Sequence, residues 1–538
     1  MAYRASGPAR STLKKIAKSG KEPALRPTSH KPLLEQPLWW ASFLCFLATP
    51  VAFVVWPWWI GLAILAAAFF FFGVKDLFIQ DDHALVRIYG PFGRLRYIFE
   101  DAFRDKYLQY FNETNTDGRP LSRIVRDYVY QRAHNVKSFT SFGTELDNYD
   151  FDNSVHGRLL HRNFPGTFSD PSFLVVIGGR REGVKPFHVN NVVNISAMSY
   201  GSLNYRACEA MSIGAKDVAY VNTGEGGYGP HGIAGNDCVF QLGTGKFGVG
   251  DSKDGPGGKM LRVLNDDLLR NLVRENENIK MIQIKISQGA KPSLGGHLPG
   301  EKVTPEIADV RRVPVGQTLV SPPQHTELVA ATPKESVAKL MEFCAHLRKV
   351  TELPVGIKLC VGLPDELDLL IEAMQATGEG PDAIQVDGAD GGTGAAPNLY
   401  INYVGYGSAA ESVVMVDQKL KKAGLRDRVM LHCSGRLLTP AHAASVFAAG
   451  ADFIDTARGA MLALGCIQSL KCHTNHCPTG IATNNQWRTN GLVVPEKSTR
   501  IHHYLTHFHQ DMLKLTRSLG RNDPRDITPQ DIRSTGIA

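Results

Sequence analysis

The feature that most restricts the fold is a repeat of short, β-branched apolar runs that begins near residue 190. The runs are VVNISAMS, VAYVNTGEGG, MIQIKIS, QTLVSPP, PVGIKLC, AIQVDGADGG, VMLHCSG and FIDTARG. Each contains Gly, Ser or Asp near its end, and helical patterns separate one run from the next. Strands that alternate with helices pair in parallel, and roughly eight units over about 290 residues match a TIM barrel. We therefore predict an α/β protein with a (β/α)8 TIM barrel over residues 186–490.

A doubly wound nucleotide-binding sheet is the alternative arrangement for alternating strands and helices. Such a sheet normally opens with a G-x-G-x-x-G turn after its first strand, and no such turn follows the first run. The glycines at 391–394 follow the sixth run instead, where Gly391 and Gly392 allow close approach of the backbone to a ligand. Barrel enzymes place their catalytic groups at the carboxyl ends of the strands, so we expect the site there.

An uncharged apolar stretch from Gln36 to Val74 predicts a membrane segment. It is nearly twice the ~20 residues that one spanning helix needs, and Pro50 and Pro57 interrupt it. A transmembrane helical hairpin over 36–75 fits best, with tryptophans at the headgroup levels. A cleaved signal peptide and a single long helix are the alternatives. Basic residues in the tail 1–35 and after the hairpin predict a cell-membrane protein with its catalytic domain on the cytoplasmic side.

Charge and the remaining segments complete the expected organisation. Eight Lys and Arg against two acidic residues in positions 1–35 supply +6 of the net charge of +7, so we expect no nucleic-acid partner. A small accessory region is expected at 76–185, with a strand-like piece at 84–90 and helix-like patterns at 99–111 and 121–132. A C-terminal helical extension is expected at 491–538.

Three cysteines close together give the sharpest chemical signal. Cys466, Cys472 and Cys477 lie within twelve residues, with gaps of five and four residues and a proline after the last. This spacing suits one cuboidal iron–sulfur cluster, and three ligands favour a 3Fe-4S cluster over a four-iron one. A structural zinc site that uses His473 or His476, or buried thiols without a metal, are the alternatives.

The cysteine run GCIQSLKCHTNHCPTGIAT closely resembles the cluster loop of the glutamate synthase FMN-domain family. Four further stretches resemble that family in the same order: NISAMSYGSLN at 194–204, NTGEGG at 222–227, QIKISQGAKPSLGGHLPGEKV at 283–303 and DGADGGTGAAP at 387–397. The resemblance implies FMN in the barrel, an iron–sulfur cluster, and reduction of the imino acid formed from 2-oxoglutarate and ammonia. The sequence contains no nicotinamide-binding fingerprint and no ferredoxin-like cysteine run, so we expect a separate electron donor, such as a ferredoxin.

The resemblance implies a role for particular residues. Glu225 matches an active-site carboxylate, and Lys291 and Arg311 match the residues that hold the carboxylates of 2-oxoglutarate. Gln283 and Lys285 alternate with apolar neighbours, so both should point into the barrel mouth, where a lysine can stabilise a reduced flavin. The residues expected to bind FMN are Ser196, Ala197, Met198, Gln283, Lys358, Gly391, Gly392, Gly435, Arg436, Arg458 and Gly459.

Two departures from the family pattern leave the substrate open. His297 stands where the family has a glutamine, and Leu294 stands where it has an acidic residue. A related enzyme that makes an N-alkylated glutamate is therefore an alternative, and a membrane redox scaffold without a dedicated substrate is another. The chain begins Met-Ala-Tyr rather than with a catalytic cysteine, so we expect no glutaminase activity.

Overall fold

The computed structural model describes residues 58–98, 116, 118–137, 144, 158–164, 173–254, 260–292 and 294–533. The predicted tail 1–35, the first half of the hairpin and the helix-like pattern at 99–111 lie outside these residues. The predictions made for them remain predictions.

The centre of the described chain is a closed barrel of parallel strands, which confirms the predicted fold class. Strands that are consecutive along the chain are neighbours in the barrel, and the last strand, Phe453–Thr456, pairs with the first, Val193–Ile195, to close the ring. The barrel strands are β1 (Val193–Ile195), β2 (Val221–Asn222), β3 (Cys238–Leu242), β4 (Ile279–Lys285), β5 (Val355–Leu359), β6 (Ala383–Asp387), β7 (Met430–Ser434) and β8 (Phe453–Thr456).

One of the eight predicted barrel strands is wrong. The run QTLVSPP supplies Leu319–Val320, which pairs antiparallel with His297–Leu298 in a two-stranded ribbon outside the barrel. The eighth barrel strand is β3, which is not among the predicted runs. Its five residues are all buried, and it pairs with β2 and β4. The other seven runs each supply a barrel strand.

Helices cover the outside of the barrel and begin at residues suited to capping. Asn204, Asn265 and Thr332 each accept a hydrogen bond from the main chain of the first helical turn that follows them. Ser408 and Glu411 form a reciprocal capping box. The helices around the barrel are Tyr205–Ala215, Asp266–Glu275, Pro305–Arg311, Pro333–Thr351, Pro364–Thr377, Asn398–Tyr403, Ala409–Lys422, Pro440–Ala448, Arg458–Ala463, Gln486–Thr489 and Val494–Ser518.

Short antiparallel ribbons complete the strands. Val175–Ile177 pairs with Phe187–Val189 just before β1, and Arg158–Leu159 pairs with Ile532–Arg533. Gly250–Asp254 pairs with Met260–Leu264 in the connection from β3 to β4.

The described N-terminal part contains one helix that is long and apolar enough to cross a membrane. It spans Trp58–Ile79, has a mean hydropathy of 2.1, and only 17% of its most apolar window is buried. Length and composition alone support this assignment. At its end, the buried Asp76 forms a bidentate ion pair with Arg94, whose guanidinium lies 5.3 Å from the Phe72 ring.

The prediction of a strand-like piece at 84–90 is wrong, because Ala84–Tyr89 is a helix. Helical spacing lets Ala84, Leu85 and Ile88 bury one face. Ile88 lies so close to Gly491 that a Cβ at that glycine would overlap it. A short helix, Arg94–Ile98, follows.

The helix predicted near 121–132 is present as Arg123–Ala133. It packs on the 25-residue C-terminal helix Val494–Ser518. Tyr128 and Arg132 both bond to Asp511, at 3.0 and 2.7 Å. The accessory region is thereby joined to the part of the chain that follows the cysteines.

Candidate active site

A cavity of about 730 Å³ opens at the carboxyl ends of the barrel strands. Most of the residues selected from the sequence line it, so residues from all parts of the barrel meet at one place. Those that line it are Ser196, Ala197, Met198, Glu225, Lys285, Lys291, Lys358, Gly391, Gly392, Gly435, Arg436, Arg458, Cys466 and Cys472. Gln283, Arg311, Gly459 and Cys477 lie behind this wall in the described structure.

A carboxylate and two lysines form one side of the cavity. Glu225 pairs with Lys285 at 3.0 Å, and both side chains are mostly buried. Burial would raise the pKa of Glu225, but Lys285, Arg311 and Lys291 together lower it, so Glu225 is held as a carboxylate. Burial and the nearby charge of Lys285 lower the pKa of Lys291. The carboxylate of Glu225 offsets only part of this decrease. This side of the cavity therefore has cationic charge to offer an anionic ligand.

A buried network behind the wall fixes the end of β4. His325 Nε2 donates to the main-chain oxygen of Lys285 at 2.9 Å, and its Nδ1 lies 2.7 Å from Lys246 Nζ. Lys246 in turn pairs with Glu327 at 2.8 Å. Burial, followed by the Lys246 charge, lowers the pKa of His325 to about 4. A neutral His325 with a proton on Nε2 satisfies both contacts. No motif in the sequence indicates this network.

Gln283 lies inside the barrel beneath the cavity. It is fully buried, accepts hydrogen bonds from Asn222 and Gln241 at 2.8 Å, and donates to Gln385 at 3.0 Å. Gln385 also donates to Asp455, which lines the cavity. Gln283 therefore points inward as predicted, but its described contacts belong to a polar layer that supports the site.

Arg311 does not line the cavity with Lys285 and Lys291, although its charge helps to lower the pKa of Glu225. Its Nη2 donates to the main-chain oxygen of Tyr200 at 2.6 Å, and its guanidinium lies 4.8 Å from the Phe247 ring. Burial lowers the pKa of Arg311 to about 10. In the described structure the guanidinium thus braces the loop after β1 from behind.

Lys358 and Asp387 lie at the ends of β5 and β6, at a distance of 3.5 Å. Ser434 Oγ donates to Asp387 at 2.6 Å, and Asp387 also accepts from the main-chain nitrogen of Gly289 at 2.8 Å. Asp387 therefore links the loop that carries Lys291 to the lysine at the centre of the barrel mouth.

Two arginines form the far side of the cavity. Arg436 donates to the main-chain oxygen of Pro120 at 2.6 Å, and Arg458 donates to that of Asp390 at 2.8 Å. Burial lowers the pKa of Arg458 to about 10, against the opposing charge of Asp390. Gly459 follows in the same turn, where a Cβ would overlap the Tyr504 hydroxyl. Its role is to let this turn pack against the C-terminal helix.

Two polar atoms of the cavity wall lack a hydrogen-bond partner among the described residues. They are Gln288 Nε2, a donor, and Asp390 Oδ1, an acceptor. Both are buried, and buried polar atoms are nearly always paired, so a bound polar ligand is the natural partner for them. Both residues lie within the family-like motifs, but neither was among the predicted site residues.

The cysteine loop closes one end of the cavity. Cys466 and Cys472 line it, and the buried Cys477 lies behind them. Burial raises the pKa of Cys466 to about 12, and the other two thiols add to the effect. Gln468, Leu470 and Asn475 adopt positive φ, between 54° and 58°, which is uncommon for residues other than glycine. Among the described residues, no group of three His, Cys, Asp or Glu side chains is arranged to hold a single metal ion.

The accessory region supplies part of the wall, which the sequence did not indicate. Pro120 and Leu121 line the cavity. Gln468 binds this segment through both ends of its amide, accepting from the Leu121 nitrogen at 3.1 Å and donating to the Arg119 oxygen at 3.1 Å. Tyr130 donates to the main-chain oxygen of Cys466 at 2.7 Å. The accessory region therefore holds the cysteine loop in place.

Comparison with known proteins supports a family assignment. A family model described as the conserved region in glutamate synthase matches residues 169–522. The glutamate synthase large subunit-like protein YerD of Bacillus subtilis is 34% identical over 496 residues, which cover 84% of this chain and 90% of that protein.

Two further matches are more partial. The archaeal-type glutamate synthase (NADPH) of Thermotoga maritima is 33% identical over 305 residues, and the match covers 56% of this chain and 54% of that one. This chain thus matches about half of the length of that relative. A mutant flavocytochrome b2 with pyruvate bound has 13% identity and a TM-score of 0.41, over 76% of this chain and 86% of its own. A score below 0.5 supports no conclusion about function.

The family match spans most of the chain, and the relative from Bacillus subtilis extends the similarity to nearly its whole length. The chain therefore belongs to the glutamate synthase family and is an oxidoreductase of that type.

Proposed function

We propose that the chain binds FMN in the barrel cavity and reduces the 2-imino acid formed from 2-oxoglutarate and ammonia to glutamate. The observation that carries the proposal is the cavity wall, which has cationic groups at both ends and buried polar atoms of Gln288 and Asp390 without a hydrogen-bond partner among the described residues. Family membership and the sequence motifs support the same assignment.

The residues fit FMN in charge and shape. Arg436 and Arg458 offer cations to a phosphate, and Gly391 and Gly392 leave the backbone open to approach. Lys358 lies at the barrel mouth, where negative charge on a reduced ring would be stabilised. Bound FMN would supply the hydride for the carbon–nitrogen double bond, and an iron–sulfur cluster would supply the electrons one at a time.

The residues near Glu225 fit a dicarboxylate. Lys285 and Lys291 supply positive charge on one side of the cavity, and a dianionic oxo acid requires such charge. Glu225 holds Lys285 in place through their ion pair and remains available to accept or return a proton of the amine. Arg311, at the end of the helix Pro305–Arg311, lies behind the cavity wall and contributes by bracing the loop that contains Tyr200.

We assign Cys466, Cys472 and Cys477 as ligands of a 3Fe-4S cluster. Cys472 and Cys477 both act electrostatically on Cys466, and the Gln468 nitrogen donates to Cys466 Sγ at 3.4 Å, as main-chain groups do to cluster sulfurs. The positive φ angles of the loop fit a segment shaped around a ligand. We also propose membrane attachment through the N-terminal helices, with the barrel in the cytoplasm and a separate electron donor such as a ferredoxin.

His297 supports a second candidate, an enzyme that makes an N-alkylated glutamate. It lines the cavity at the start of the ribbon over residues 297–298. An imidazole in the place of an amide changes which amine can be accommodated beside the oxo acid.

One experiment separates these candidates. The protein is purified in detergent without oxygen, its flavin is reduced chemically, and flavin reoxidation is followed with 2-oxoglutarate plus ammonia or methylamine. Faster reoxidation with ammonia supports glutamate formation, and faster reoxidation with methylamine supports the second candidate. A reoxidation rate that does not change with any oxo acid or amine would contradict both candidate activities and favour a redox scaffold.

FMN binding has its own test. The cofactor released by denaturation should be FMN, and Arg458→Leu should lower its occupancy, because a charge-assisted contact to phosphate contributes about 1.5–3 kcal/mol. The matched control is Arg274→Leu, which changes an exposed arginine on the helix Asp266–Glu275. Equal FMN content in both variants would remove Arg458 from the phosphate site.

A further inference from the structure

Lys302 is a buried lysine between the cavity and the cysteine loop. It lies at the end of the turn Gly300–Lys302, it lines the cavity, and 2% of its surface is exposed. Its ammonium group donates to three main-chain oxygens, those of Ser202 at 2.8 Å, Ala482 at 3.0 Å and Cys472 at 3.3 Å. All three protons of the ammonium are therefore used.

The three acceptors belong to different segments of the site. Ser202 is in the loop after β1, which lines the cavity. Cys472 and Ala482 belong to the cysteine loop and the segment that follows Cys477. The main-chain oxygen of Lys302 also accepts from Asn484 at 2.8 Å, so this residue joins the segments in both directions. One side chain thus fixes the cysteine loop relative to the proposed flavin site.

The charge of Lys302 has no carboxylate partner among the described residues. The ionisable groups that act on it are the thiols of Cys472 and Cys477 and the guanidinium of Arg311. A buried ammonium is costly unless an anion lies nearby. Carbonyl oxygens offset part of that cost, and negative charge on the sulfurs of a bound cluster would offset more.

We propose that Lys302 is a positioning residue that raises the reduction potential of the cluster at Cys466, Cys472 and Cys477. This inference rests on the proposed cluster. A cluster that accepts an electron becomes more negative, and a fixed, buried cation beside it stabilises that state more than the oxidised one. The reduced cluster is thereby stabilised at the end of the cavity from which its electrons would reach the flavin.

The test compares three variants in the full chain, purified without oxygen. Lys302→Gln removes the charge and keeps hydrogen-bond donors, while Lys302→Arg keeps the charge. The matched control is Lys471→Gln, because Lys471 precedes Cys472 directly but is exposed, and water screens exposed charges. Iron, sulfide and FMN are measured first, and the cluster is then titrated against potential by electron paramagnetic resonance.

Lys302→Gln should lower the equilibrium constant for cluster reduction at least tenfold, which is 59 mV for one electron. Lys302→Arg and Lys471→Gln should remain within about threefold of the original protein, because a buried cation is kept in both. FMN content should be the same in all four proteins.

The outcomes separate the inference from the proposed function. An original protein without iron and sulfide contradicts the cluster itself. A full cluster whose potential is the same in Lys302→Gln overturns the role of Lys302, and so does an equal shift in Lys302→Gln and Lys302→Arg. If Lys302→Gln alone assembles no cluster while Lys302→Arg does so at the original potential, the charge is required. Loss of the cluster in both would show a purely structural role and overturn the inference.

Discussion

Replacement of Arg311 by lysine distinguishes a residue that braces the site from one that grips the substrate. In the structure the guanidinium is 3% exposed, donates to the Tyr200 oxygen at 2.6 Å and lies 4.8 Å from the Phe247 ring. It also lies against Gly201 and Gly226, where a Cβ would come within 3.2 and 3.0 Å of Nη2. A lysine keeps the charge but loses the planar group that fits this space.

The contacts set the size of the effect. A hydrogen bond to a charged group contributes about 1.5–3 kcal/mol, and a desolvated cation–π contact contributes about 0.5–2 kcal/mol. Lysine would recover part of both, so we expect a loss of about 1–3 kcal/mol in the free energy of unfolding. A barrel of roughly 300 residues has an unfolding entropy of about 0.6 kcal/mol per degree, so the melting temperature should fall by about 2–5 °C.

The assay is thermal unfolding of the purified protein, followed by steady-state kinetics on the oxo acid that reoxidises the flavin. The control is Arg312→Lys, because Arg312 is the next residue, is about half exposed and lies 3.8 Å from Asp251. It should change neither quantity, since exposed ion pairs contribute about 0–1 kcal/mol. An unchanged melting temperature with a ten- to hundredfold lower kcat/KM would refute the bracing role and support direct contact with a carboxylate.

Three further predictions test other parts of the site. Cys472→Ser should abolish the iron and sulfide signals, found near a 3:4 ratio in the original protein, without loss of membrane association; stoichiometric zinc without sulfide would contradict the cluster. A reporter at the C-terminus should be active only in its cytoplasmic form, and a periplasmic signal would favour a single span over the hairpin. Burial lowers the pKa of His231 to about 4, so protonation opposes folding, and the melting temperature should fall as pH decreases from about 6.5 to 4. His231→Gln should flatten that decrease, and an unchanged slope would show that other groups cause it.

The barrel was largely predictable because its strands are buried on both faces. Such strands give mainly apolar runs, and β4 through β8 all lie in runs of this kind. The strand β3 was missed because no α-helix separates it from β2. Their connection contains only the short turns Gly224–Gly226 and Pro230–Gly232, so the alternation of strand and helix is interrupted there. The ribbon strand Leu319–Val320 carries the same local signal as a barrel strand but lies among prolines on the outside. Local pattern does not specify the partner of a strand.

The site was predictable where a motif carries the chemistry and unpredictable where tertiary contacts supply it. Glu225, Lys285 and Lys291 come together as the motifs indicated. The segment at Pro120 and Leu121 is separated from the cysteine loop by more than 340 residues, and nothing in its composition marks it as part of a cavity wall. Such a contact depends on how the accessory region packs on the C-terminal helix, which is a property of the folded chain.

The balance of charge in the cavity connects these observations to one kind of ligand. Among the described residues that line it, six are Lys or Arg and four are Asp or Glu. Lys285 and Lys291 lie on one side and the two arginines on the other, while Lys358 lies between them at the barrel mouth and Lys302 lies beside the cysteine loop. The surplus of positive charge is therefore distributed over the cavity rather than concentrated at one end. Buried cations without partners are unfavourable, so this arrangement is best satisfied by negative charge at both ends. A cofactor with a phosphate at the arginine end and a dicarboxylate at the lysine end would supply it, which neither a neutral substrate nor a redox scaffold would do.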